Sequence, residues 1–155
     1  MPYVKSNDGT DLYYEIKGSG YPLLMIPGWT CTTGFWKKNA DVLAKSLKVI
    51  LFDMRAHGKS EKTLHGHRIS RYAMDVKNLI DALGLSGVTM LGWSMGASVL
   101  WSYIELFGNE ALKALVCVDQ SPSQYTGPDW KWGQNGCYDA EMFVRVCCDQ
   151  KYDPR

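Results

Sequence analysis

Histidine is scarce in this sequence. The chain of 155 residues carries His57, His65 and His67, and none follows them. Imidazole is the commonest general base, so the second half cannot draw one from its own residues. Paired cysteines are absent as well. Cys31, Cys117, Cys137, Cys147 and Cys148 are odd in number and contain no C-x-x-C. That pattern argues against a disulfide scaffold or a zinc site, and it fits a reduced, cytoplasmic setting. Cys31 reads as a small buried or loop thiol rather than a nucleophile. Net charge is nearly absent, at +1, which removes the electrostatic case for nucleic acid or an anionic membrane as partner. No apolar run approaches the ~20 residues needed to span a bilayer. Residues 1–6 lack the basic-then-apolar order of a secretory signal. There is no internal repeat and no low-complexity tract.

What is present is ordinary globular composition, 46% apolar and 21% charged, enough for one domain with a sizeable core. Strand and helix patterns alternate along it. Leu12 to Lys17 alternates as a strand. Gly18-Ser19-Gly20 is a turn, and a strand follows it, so it is not a dinucleotide motif. Leu23 to Ile26 is a short, continuously apolar strand of the kind covered on both faces. After a loop, Pro27 to Gly34, a helix is expected from about Phe35 to Ser46, with Trp36, Ala40, Leu43 and Leu47 as its stripe. Lys48 to Phe52 is the next strand, and Asp53 to Leu64 a polar loop. Ile69 to Leu83 is the clearest helix, with Ser70 as its N-cap and Gly84 as its stop. Val88 to Leu91 is a strand, a helix starts near Ala97, and Leu112 to Val118 is one more buried strand. This alternation predicts an α/β fold with a mostly parallel sheet and helices on both faces.

Gly92-Trp93-Ser94-Met95-Gly96 lies between the strand ending at Leu91 and the helix beginning at Ala97. G-x-S-x-G in that setting is a nucleophile elbow. The serine projects its hydroxyl from a strained turn, and the flanking glycines remove Cβ atoms that would collide there. The following helix aims free N–H groups at developing negative charge. Parallel sheets bind ligands at the carboxyl ends of their strands, which is where Ser94 falls.

These residues resemble the α/β-hydrolase superfamily, its esterase and non-haem haloperoxidase lineage, over nearly all of the chain up to Pro122. Ile26-Pro27-Gly28-Trp29 is similar to the loop after the family's third strand. Asp53-Met54-Arg55-Ala56-His57-Gly58-Lys59-Ser60 is similar to its D-x-R-G-x-G-x-S loop, and Val118 to Pro122 to the end of its sixth strand. The chain has Pro27 where the family usually has His, and Ala56 where it usually has Gly. If position 56 needs φ > 0, alanine is strained there. The resemblance implies Ser94 as nucleophile, with the backbone N–H groups of Trp29 and Met95 as the oxyanion hole and Gly92 and Gly96 as elbow glycines. Serine at 94 sets the chain apart from relatives with aspartate there. The implied fold is the first part of the α/β-hydrolase core, residues 1–122, lacking the last core strands. Residues 123–155 form a linker and the start of a cap-like segment, with Trp130, Trp132 and Tyr138 in the linker.

In this family the triad runs Ser, then acid, then His, and no histidine follows Ser94. His57 follows a strand two places from the elbow strand, an offset of about 10 Å. It is expected near the substrate entrance or in solvent rather than at the hydroxyl. His65 and His67 lack a third ligand and read as solvated; no metal or cofactor is expected. Asp119 ends the strand beside the elbow strand. It is the candidate triad acid, although a carboxylate bonded to nearby loop amides is the plainer expectation. Asp53 and Arg55 are expected to brace their own loop.

Two functions follow. In one, the chain belongs to a serine hydrolase, truncated here, that cleaves small carboxylic esters or related acyl substrates. Its histidine and acid then lie beyond Arg155, and cofactor-free haloperoxidase-type chemistry is a variant on the same site. In the other, the chain is non-catalytic and binds a small molecule or a partner. The strand ending at Val118 is then an edge that pairs with a second copy.

Overall fold

The computed structural model describes residues 2–123 and 129–130. Two compact units result, Met1–Gln120 and Ser121–Arg155. In the second, the Trp130 indole donates to the Ser123 carbonyl at 3.3 Å. The cap-like segment expected beyond residue 123 falls largely outside the described residues, Trp132 and Tyr138 included.

The first unit is a six-stranded sheet in the order β1-β2-β4-β3-β5-β6. The strands are β1 (Tyr3–Lys5), β2 (Asp11–Lys17), β3 (Pro22–Ile26), β4 (Lys48–Phe52), β5 (Val88–Trp93) and β6 (Leu112–Val118). Strands β3 to β6 are mutually parallel, whereas β1 and β2 pair antiparallel. Sequence reading finds β2 to β6 and misses β1. Three residues are too few to show a period of two. Strand β6, expected to be buried, has no buried residue.

The apolar runs explain the centre. Leu23, Leu24, Met25 and Ile26 are all buried, as are Val49, Ile50, Leu51 and Phe52. Each such strand needs cover on both faces. On one face α2 (Ile69–Ala82) and α3 (Met95–Phe107) pack against Leu24, Ile26, Ile50, Phe52, Val88 and Met90. On the other, Leu23, Met25, Val49 and Leu51 meet Trp36 and Ala40. These come from a 3-10 turn (Thr33–Trp36) and the short helix α1 (Lys37–Leu43) that follows it. The stripe anticipated for one helix is thus shared by two tighter pieces.

In α2, Tyr72, Ala73, Val76, Leu79 and Ile80 form the buried face. Each such aliphatic side chain contributes about 1.5–3 kcal/mol on burial. The N-cap is Arg68, not Ser70, which lies in the first turn, and no side chain caps the helix. The chain enters from Gly66 at φ 80, and the Arg71 and Tyr72 N–H groups bond the Arg68 carbonyl instead. Gly84, at φ 57, lies just past the helix end as expected.

A buried polar network crosses this face. Arg55 and Asp75 are both fully buried and form a bidentate pair, Nε to Oδ2 at 2.7 Å and Nη2 to Oδ1 at 2.8 Å. Ser6 donates to the same carboxylate at 2.6 Å. Asp8 accepts from Arg55 and Arg71 at 3.0 and 3.1 Å. The β1–β2 turn, the loop after β4 and α2 are thereby clamped together. Burial pushes the Asp8 carboxyl up, but hydrogen bonds from Thr10 and the Arg55 guanidinium outweigh it and hold the group at about 2. Arg55 was expected to brace its own loop; its side chain instead ties that loop to α2 and to the β1–β2 turn.

Candidate active site

Ser94 stands at the carboxyl end of β5 and is the N-cap of α3. Its φ of 52 and ψ of −123 place it in a region costly for any residue with a Cβ. Two bonds hold it there. Its N–H donates to the Val118 carbonyl at 2.9 Å, and its carbonyl accepts from the Ala97 N–H at 2.8 Å.

Three glycines make that turn sterically allowed. A Cβ at Gly92 would lie 2.5 Å from the Gly96 carbonyl. One at Gly96 would run into the Ile26 carbonyl, and one at Gly28 would lie 2.8 Å from the Trp93 ring and 3.2 Å from the Ser94 Cβ. Gly28 therefore brings the β3 loop against the elbow. Trp93 in turn stacks on Phe35, with ring centroids 4.4 Å apart and planes 13° apart.

The β3 loop places Trp29 beside this turn. Neither the Trp29 N–H nor the Met95 N–H donates to an acceptor among the described residues. Asp53, buried at the end of β4, ties that loop down. One of its oxygens accepts from the Thr33 N–H at 2.6 Å, the other from the Lys59 N–H at 2.8 Å. Bracing is thus what Asp53 does, across two loops rather than within one.

Strain gathers on this edge of the sheet. Among the described residues, the non-glycine positions with positive φ are Thr30, Ala56, Ser94 and Asp119. They follow β3, β4, β5 and β6 in turn, one at the carboxyl end of each parallel strand. Such outliers each cost on the order of 1–3 kcal/mol and cluster at functional sites. Ala56, at φ 61, is the strained alanine foreseen for a family glycine.

Asp119 flanks Ser94, because Trp93 and Val118 are register partners on β5 and β6. It is exposed, and no amide bonds its carboxylate among the described residues. The loop amides expected to bond it are not found among the described residues.

The imidazoles are engaged elsewhere. His57 Nδ1 meets the Arg55 carbonyl at 2.9 Å, and His67 Nε2 meets the Thr63 carbonyl at 3.0 Å. His65 lies 3.8 Å from Asp8. The Ser94 hydroxyl has no partner among the described residues. Since β3 separates β4 from β5, His57 keeps the two-strand offset expected of it.

A sequence profile described as the alpha/beta hydrolase fold matches residues 21–135. The chain belongs to the alpha/beta hydrolase family. It is 32% identical over 123 residues to a non-heme haloperoxidase of Rhodococcus erythropolis, covering 79% of this chain and 45% of that protein. Among solved structures, it is similar to an esterase from Exiguobacterium antarcticum. The TM-score is 0.87 at 26% identity, over 98% of this chain and 56% of that one. It is also similar to a bromoperoxidase from Bacillus anthracis, with TM-score 0.86 at 26% identity, covering 98% and 55%. The chain spans about half the length of these alpha/beta hydrolase relatives. Among the described residues, no helix is long and apolar enough to cross a membrane.

Sequence reasoning passed over three residues that shape this site. In the sequence Phe35 reads only as the start of a helix, and its stack on Trp93 is a long-range contact. Asp75 lies between the apolar positions 72, 73 and 76, and a carboxylate inside an apolar stripe is a legible sign of a buried partner. Tyr72 reads as core, although a tyrosine in a first helical turn can keep its hydroxyl at the surface.

Proposed function

We propose that the protein is a serine hydrolase that cleaves small carboxylic esters through an acyl-enzyme on Ser94. The observation that carries this reading is the backbone of Ser94, held at φ 52 and ψ −123 between a parallel strand and a helix. The Ser94 Oγ attacks the ester carbonyl carbon and its proton passes to a base. The carbonyl oxygen becomes an oxyanion that accepts from the Trp29 and Met95 N–H groups. The C–O bond to the alcohol then breaks, and the alcohol leaves with the base's proton. Water releases the acid by the same steps. Each oxyanion donor is worth about 10²–10³ in rate. Asp119 stands as the candidate acid. The base is a histidine from outside these 155 residues.

The test is ester hydrolysis by the native protein. 4-Nitrophenyl acetate should give a burst of nitrophenolate stoichiometric with protein, and Ser94→Ala should abolish it. Bromination assays on the same preparation separate the haloperoxidase variant, which the names of the relatives also support.

A second reading is favoured by His57 and His67, whose ring nitrogens meet loop carbonyls rather than Ser94. In it the chain binds a small molecule without turning it over, and β6 pairs with a second copy. No burst, together with unchanged binding in Ser94→Ala, would establish it.

A further inference from the structure

Beside the oxyanion loop lies a cavity of about 540 Å³ lined by Trp29, Thr30, Ala56, His57, Gly58, His67 and Tyr72. No Lys, Arg, Asp or Glu lines it, and Ser94 is not part of its wall. Its polar side chains can be followed proton by proton. A carbonyl oxygen only accepts, so His57 Nδ1, 2.9 Å from the Arg55 carbonyl, carries the hydrogen. In the neutral imidazole the lone pair is then on Nε2, which has no partner among the described residues. His67 is fixed as the opposite tautomer, its Nε2–H donated to the Thr63 carbonyl at 3.0 Å. That leaves His67 Nδ1 to accept from the Tyr72 hydroxyl at 3.5 Å. Burial raises the Tyr72 pKa, which keeps that hydroxyl protonated. Thr30 spends its proton on the Trp29 carbonyl at 2.6 Å.

The hydroxyl and imidazole groups of the cavity thus present lone pairs, because their protons are already committed. The Trp29 indole N–H is the remaining side-chain donor, on a residue 62% exposed. The nonpolar surface is aromatic. The His57 and Tyr72 rings meet edge to face at 6.3 Å, and the Trp29 ring is open to a ligand.

We propose that this cavity is a substrate subsite for an uncharged aromatic ring bearing a hydroxyl, and that His57 Nε2 accepts the hydroxyl proton. A hydroxyl both donates and accepts, which matches a lone pair at His57 and an N–H at Trp29. An anion meets several lone pairs and no cationic side chain. A cation finds no carboxylate. A purely apolar ring leaves the imidazole lone pair desolvated and unpaired, which costs affinity. In calling the ligand a substrate, the proposal rests on Ser94 as nucleophile. The esters implied carry a hydroxylated ring on the group that reaches past Trp29. His57 here is a specificity residue that touches substrate, not the base.

The experiment is a titration of the intact, nitrogen-15-histidine-labelled protein with phenol and, separately, with anisole, followed by long-range imidazole spectra. Anisole keeps the ring and the oxygen and loses the donor. In the free protein, His57 should show the Nδ1–H tautomer. Phenol should move the His57 Nε2 resonance upfield, as expected when a bare lone pair accepts a hydrogen bond. It should bind roughly fivefold to tenfold more tightly than anisole. His57→Phe should erase that preference, and His57→Gln, which keeps an acceptor, should restore part of it. Equal affinities, phenol binding without a shift at His57 Nε2, or no binding up to the solubility of the probes would each overturn the proposal. Neither probe is hydrolysed, so the outcome is independent of the ester assay. Absent turnover with phenol bound at His57 would sink the hydrolase reading and leave the subsite standing.

Discussion

Ala56 holds a left-handed backbone at φ 61 in a position where only glycine is at ease. The strain is local and can be relieved. Ala56→Gly is expected to raise stability by about 1 kcal/mol, or roughly 3 °C in Tm for a chain of this size. Thermal unfolding of the two proteins side by side measures it, and a lower Tm for the glycine variant would mean that position 56 is unstrained. Gly28 is the reverse case. Its α-hydrogen faces the Trp93 ring, and the Cβ of Gly28→Ala would lie 2.8 Å from that ring. The alanine should push the oxyanion loop off the elbow and slow acylation of Ser94 by on the order of 10². Stopped-flow burst rates would read this, and an unchanged rate would separate the loop from the chemistry.

At the scale of elements, the strands of the centre were legible because burial on both faces writes unbroken apolar runs, as in Leu23 to Ile26 and Val49 to Phe52. The α2 stripe was legible through its helical period. The start of α2 was not, because Arg68 caps it through its backbone alone and leaves no side-chain signature. Nor was the Arg55–Asp75 pair, since its partners lie on different elements and meet only in the fold. That pair has measurable consequences. Asp75→Ala takes the bidentate partner from a buried guanidinium and leaves it the Asp8 contact, and should cost up to about 3–5 kcal/mol. Replacing both partners with apolar residues of similar size should cost less than either single change. Urea midpoints of the three variants decide it.

The same network sets an acid limit. The folded state holds Asp8 at about 2 against an ordinary 3.8, so between those values the unfolded chain binds more protons. The contribution of Asp8 is therefore complete above pH 3.8 and is lost as the pH falls towards 2. Asp8→Asn should flatten the urea midpoint over that interval. A wild-type midpoint indifferent to pH there would contradict the assignment. The sheet's far edge carries its own expectation. On β6, Val116 and Val118 are 40% and 39% exposed, and β5 is its one partner among the described residues. Unpaired apolar edges associate, so light scattering should show mass rising with concentration for this chain. A monomer at all concentrations would rule out pairing through β6.

Across the whole molecule, four parallel strands end on one edge, and each is followed by a residue with positive φ. The order of motifs carried the α/β architecture and the place of Ser94, because both depend on local turn chemistry. The sequence could not convey which loops meet. Asp53 joining two loops, Gly28 pressed on Trp93, and the cavity between His57 and Tyr72 are all contacts between distant segments. The absence of a histidine after Ser94 was the plainest signal in the sequence, and the fold gives it physical content, since each imidazole present is held away from the serine. The most direct test of Ser94 as nucleophile is fluorophosphonate labelling of the protein as it occurs in its source cells, with the modified residue located by peptide mass spectrometry. The account predicts one adduct, on the peptide containing Ser94. An unmodified Ser94 peptide, with other serine hydrolases in the same cells labelled, would contradict it.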